Sequence, residues 1–173
     1  MSRAQPEVRH GKRTVYFARD IHQMNLVLGK FLQKSGAETV LLVDEAGHLV
    51  ARQGVTSPTS EDTITALVAG TFAAARAIAQ MLGSQEFSSL IPRGSGGSIL
   101  TLRAGDRALL AVSLGDDCAI SLVRTYALEA IRRLDAILGA SHAAGPGGGE
   151  TDERIQGYRF DREIDGALND VFG

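Results

Sequence analysis

The chain has 173 residues, 44% of them hydrophobic but only 5% aromatic and none Trp, with a formal net charge of −2. That length suits one aliphatic-cored domain plus a tail, and the near balance of charge gives no electrostatic case for nucleic acid or membrane as a partner. The single Cys118 excludes an internal disulfide; with no signal peptide and no apolar run approaching the roughly 20 residues of a membrane span, a cytoplasmic location is expected.

Residues 1–16 read as a polar N-terminal arm, with Arg3, Arg9, Lys12 and Arg13 set against Glu7. Such an arm can steer an acidic partner or simply fray in solvent. Gly11-Lys12-Arg13-Thr14 has the outline of a phosphate-loop ending, but the upstream Gly is missing and Arg13 sits where Ser or Thr is needed. A helix is expected from Phe17, because Phe17, Ile21, Met24, Leu28, Phe31 and Leu32 share one face, and Gly36 is placed to end it in a left-handed cap. Thr39–Asp44 is a continuous apolar run and implies a strand covered on both faces. Asp44-Glu45-Ala46-Gly47 fits a type I turn, and His48–Arg52 returns as the second strand of a hairpin.

Residues 53–59 form a loop containing Pro58, and Ser60 is the expected N-cap of a long helix closed by Gly83, with Glu61 and Asp62 at its positive end. At about 100° per residue, Ile64, Leu67, Val68, Ala75, Ile78, Ala79 and Leu82 form a core stripe. The opposite stripe carries Ala66, Ala69, Gly70, Ala73 and Ala77, bordered by Thr63, Arg76 and Gln80, where Lys and Glu are expected. Either this helix is buried on both sides, or its small-residue face is a docking surface on which another backbone approaches closely. A mid-helix glycine at Gly70 costs about 1 kcal/mol relative to Ala, so its presence asks for compensation.

Phe87–Ile91 reads as a short third strand, and Arg93–Ser98 as a Gly-rich hairpin loop; no helix start or Lys follows it to hold a phosphate. Ile99–Arg103 and Arg107–Leu114 are further strands, and Asp116 or Asp117 is placed to cap a last helix burying Ile120, Val123, Ala127, Leu128, Ile131, Leu134 and Leu138. The order α-β-β-α-β-β-β-α makes an α+β domain over residues 17–139, a five-stranded antiparallel sheet sandwiched by helices. Residues 140–157, with Gly145-Pro-Gly-Gly-Gly149, read as a flexible linker reaching roughly 20 Å. The segment 158–173 is acidic and amphipathic, aligning Ile164, Leu168, Val171 and Phe172. A helix that short is marginal alone, so the segment is either unstructured or docked on its own domain, a twin or another protein.

No catalytic constellation is visible. His10, His22, His48 and His142 lack neighbours at metal-ligand spacing, so neither a metal site nor a cofactor is expected. The two negative charges of Asp116 and Asp117 do not activate a thiol at Cys118. A binding module is the better expectation than an enzyme.

The hairpin LLVDEAGHLVAR, the helix DTITALVAGTFAAARAIAQMLG and the strands ending in LLAVSL resemble the roadblock/dynein light chain family over residues 17–139, and within it the bacterial regulators of Ras-like small GTPases of the MglA type. The resemblance implies a homodimer joined through its third strands, here Phe87, Leu90 and Ile91, with the long helices side by side as the GTPase-binding surface. Ala66, Gly70, Ala73, Arg76, Ala77 and Gln80 are the positions this implies. It also implies stimulation of GTP hydrolysis by reshaping the GTPase's own residues, without an arginine finger from Arg76 or Arg93, in bacterial cell polarity or motility. The terminal segment, through Ile164, Leu168, Val171 and Phe172, is then a second contact favouring nucleotide exchange. A roadblock scaffold that leaves hydrolysis unchanged is the alternative. A small-molecule sensor is disfavoured by a core poor in polar residues.

Overall fold

The computed structural model describes residues 16–55 and 58–143. They run α1 (Ala18–Ser35), β1 (Thr39–Asp44), β2 (Leu49–Gly54), α2 (Pro58–Met81), β3 (Ser89–Leu90), β4 (Arg93–Gly94), β5 (Gly97–Ala104), β6 (Ala108–Leu114) and α3 (Ile120–Ala143). The antiparallel sheet has the order β2-β1-β6-β5-β3, with β4 paired to β5 off that path. β1 and β6 lie in the middle, which explains their apolar runs: every residue of β1 and all of β6 but Ser113 is buried.

Strand alternation divides the core into two layers. Val40, Leu42, Leu110 and Val112 face α1 and α3, packing with Met24, Leu28, Val123 and Leu134. Leu41, Val43, Leu109 and Ala111 face α2, meeting Val68, Ala69 and Phe72 as its fully buried apolar residues. One face of the sheet is thus covered by two helices and the other by one.

The local signals read from α1 and the first hairpin hold. Gly36 ends α1 at φ 70°, its N–H donating to Leu32 O at 3.3 Å. In the hairpin turn, Gly47 N–H donates to Asp44 O at 3.0 Å, and the Asp44 carboxylate accepts from the His48 backbone at 2.8 Å.

Several boundaries differ from the sequence reading. α2 begins at Pro58, before Ser60, so Ser60 is not its cap; a proline in the first turn withholds a donor the helix does not use there. The third strand shrinks to Ser89–Leu90, because Pro92 has no N–H to offer and serves instead as acceptor for Ile99 N–H at 3.1 Å. The Gly-rich run is part strand: Arg93 and Gly94 pair with Ser98 and Gly97. Gly97 has φ 123°, and a Cβ on it would lie 2.5 Å from Leu114 O, so only glycine lets β5 start this close to the end of β6. Finally, α3 starts at Ile120, with Leu122 and Val123 N–H both donating to Ala119 O. Asp116 and Asp117 therefore lie in the preceding turn and do not cap it. The helix continues through Gly139 to Ala143.

On α3, Asp135 sits against the β5–β6 turn, and its Oδ1 is buried without a hydrogen-bond partner among the described residues. Burial first, and the Asp106 carboxylate second, raise its pKa. The folded state therefore holds this proton more tightly than the unfolded chain does. The linked stability is present below the ordinary carboxyl range and is lost as pH rises through the raised folded value. Asp135→Asn is expected to raise the urea midpoint at neutral pH and leave it unchanged in acid, a difference that paired denaturation curves would read.

A candidate interaction surface on the second helix

α2 is held to the sheet by a narrow strip. Thr65, Val68, Ala69 and Phe72 are buried, and the Phe72 ring meets that of Phe87 with centroids 5.1 Å apart. In its first turn the buried Glu61 pairs with Arg52 of β2, fixing where the helix starts. The hairpin tip presses on the next turn: a Cβ on Gly47 would stand 3.0 Å from Ala66 Cα.

The strip is not the stripe read from the sequence. Of that stripe only Val68 is fully buried, and Leu67, Ile78 and Leu82 are 63%, 59% and 82% exposed. Ala69, expected outside, is buried at 6% exposure. The buried sector is turned by about 85° from the one through the bulky aliphatics. Because the helix is apolar nearly all round, periodicity could not fix its azimuth; the requirement for Phe72 to reach Phe87 does.

The outward side gains from this what the core loses. Ala66, Gly70, Ala73, Ala77 and Gln80 are exposed as expected, and Leu67, Ile78 and Met81, which the sequence reading did not assign to it, join them. From Thr63 to Leu82 the one charged residue is Arg76. It is half-buried on the flank, where with Gln80, Glu86, Phe87 and Arg103 it lines a cleft of about 320 Å³. Arg103 is already engaged, donating to Gly105 O at 3.0 Å and to Asp106 at 3.3 Å. Contrary to the sequence expectation, Glu61–Met81 is long and apolar enough to cross a membrane, with a mean hydropathy of 1.4. Its attachment through Glu61, Val68 and Phe72 makes one side of it the roof of a sheet, so the apolar surplus is a one-sided surface. An uncharged patch of this kind marks a site of interaction.

Gly70 is in the middle of that surface, and a Cβ on it would meet nothing within 4 Å. Among the described residues, nothing therefore requires that its side chain be missing. Gly70→Ala is expected to stabilise the isolated fold by about 0.5–1 kcal/mol while weakening whatever association uses the face. Thermal denaturation and a binding titration on the same variant would show the two opposite signs.

Phe87, Leu90 and Ile91 are half-buried at the β3 edge of the sheet. Phe87 and Leu90 pack under α2, whereas Ile91 packs on the α1/α3 side. Ile164, Leu168, Val171 and Phe172 lie outside the described residues. Among the described residues, no group of three His, Cys, Asp or Glu side chains could hold a metal ion.

Three helices on an antiparallel sheet, with one helix face left apolar, make an α+β domain that carries a candidate interaction surface. Residues 24–114 match the Roadblock/LC7 domain, and the chain belongs to that family. Among solved structures it is similar to Myxococcus xanthus MglB, with a TM-score of 0.68 and 25% identity over 80% of this chain and 99% of that one. A structure described as MglB with tetrameric arrangement gives a TM-score of 0.68 and 26% identity, covering 75% and 97%. The gliding protein MglB of Thermus thermophilus gives 0.66 and 27%, covering 77% and 98%. No curated protein sequence matches.

Proposed function

We propose that the chain is a non-enzymatic, cytoplasmic, homodimeric regulator of a Ras-like small GTPase of the MglA type, activating hydrolysis and aiding exchange, in cell polarity or motility. The observation that carries this reading is the uncharged outward face of α2 in a fold similar to MglB. Coverage of the sheet supports the dimer. A helix about 10 Å across does not span five strands spaced about 4.8 Å apart, and two helices already cover the opposite face. A second α2 beside the first, brought there by pairing of the β3 edges at Phe87, Leu90 and Ile91, completes the layer. Together the two helices make a surface on which a GTPase docks against Ala66, Gly70, Ala73, Ala77 and Gln80, with Arg76 at its rim. The segment 158–173, joined to the domain by a Gly-rich linker, is a separate contact in this reading.

Single-turnover GTP hydrolysis by an MglA-type GTPase, with and without this protein, tests it. A rate increase of tenfold or more, about 1.4 kcal/mol off the barrier, is the expected result. Binding with an unchanged rate would instead establish the scaffold reading.

A further inference from the structure

The charges outside the described residues are segregated by sign. Residues 1–15 carry four basic side chains and one acidic, a net +3, whereas residues 144–173 carry seven acidic and three basic, a net −4. The fold brings the two ends together. Lys34, near the end of α1, is 4.0 Å from Glu129 and sits over the Tyr126 ring in the first half of α3, and Cys118 Sγ contacts Gly36 O at 3.2 Å. α1 and α3 are therefore antiparallel neighbours, and the start of α1 lies beside the end of α3. The described residues that follow the basic arm and those that precede the acidic segment are thus neighbours.

α3 offers that segment a matching track. Arg124, Leu128 and Arg132 recur every fourth residue along its outward side, and Leu128 is 44% exposed. Among the described residues, neither arginine has a hydrogen bond or an ion pair, whereas Arg133 on the α1 side is paired with Glu129 at 2.9 Å. We propose that residues 158–172 dock in cis, antiparallel to α3, with Leu168 over Leu128 and Asp161 and Asp165, on the same side of the segment as Leu168, toward Arg132. The basic arm adds attraction at the end where the segment turns back.

The lengths agree. Returning from Ala143 to Arg132 takes eleven residues of helix, about 16 Å, and a Gly-rich linker of 14 residues, 144–157, reaches roughly 20 Å. The docked position lies across the sheet from α2, so the acidic segment is parked away from the proposed GTPase surface and competes with no contact there.

Spin labels on Ser121→Cys and Gly173→Cys, in full-length protein carrying Cys118→Ser and diluted into excess unlabelled protein, read the intraprotomer distance. A short-distance population is expected at low salt and is lost at about 1 M salt, where the Debye length falls to about 3 Å. Arg132→Glu, at an exposed position that leaves the core untouched, is expected to lower the docked-to-free ratio about fivefold or more. Adding Asp161→Lys and Asp165→Lys to that variant restores it. Absence of a short-distance population overturns the proposal. So does one that survives the arginine reversal, which would place the segment on another surface such as α2.

Discussion

A protein carrying Ala73→Arg together with Ala77→Arg is expected to keep its fold and to lose association through α2 by about a hundredfold or more, about 2.7 kcal/mol. Both alanines are exposed and one helical turn apart, and neither packs into the core of its own protomer. Substitutions at such positions usually change stability by no more than about 0.5 kcal/mol. In an interface the same two guanidinium groups must either leave water without a partner or hold the surfaces apart, and either outcome is heavily unfavourable. Circular dichroism, light scattering and a titration with the GTPase would be run on the one variant. An unaltered spectrum with both associations lost is the expected pattern. GTPase binding that survives both charges removes the α2 face from the proposed function.

The parts of the fold that were legible in the sequence are those in which a local rule and the tertiary environment agree. α1 shows this most plainly: its apolar face points one way, its glycine cap sits at the end of the period, and the layer beneath it is the deeper of the two cores. The central strands were legible for the same reason, since a strand flanked on both edges and covered on both faces has no polar alternation to mislead. α2 fails that test. With almost no charge along 20 residues, any stripe is a plausible inside, and the choice of the largest aliphatics was wrong because a close-packed hairpin tip and a single aromatic pair fix the helix instead. The breaks at Pro92 and at the start of α3 were illegible for a different reason. They depend on which backbone donors find acceptors, at Pro92 O and Ala119 O, rather than on side-chain character.

The same azimuth makes a second variant decisive. Phe72 is 4% exposed, contacts Phe87, and is the largest buried side chain that α2 contributes to the sheet. Phe72→Ala removes that anchor and leaves a cavity that a helix held at so few points can fill only by tilting. The expected loss is about 3–4 kcal/mol in urea unfolding. Because that is a large fraction of the stability of a domain this size, association through α2 falls with it even where the protein remains folded. Ile78→Ala, six residues further on, gives the crossed result. Ile78 is mostly exposed in the protomer, so its truncation leaves the unfolding midpoint within about 0.5 kcal/mol yet weakens association. If the two variants instead lose stability alike, Ile78 is part of the core, and the outward face of α2 is not the free surface on which the proposed function depends.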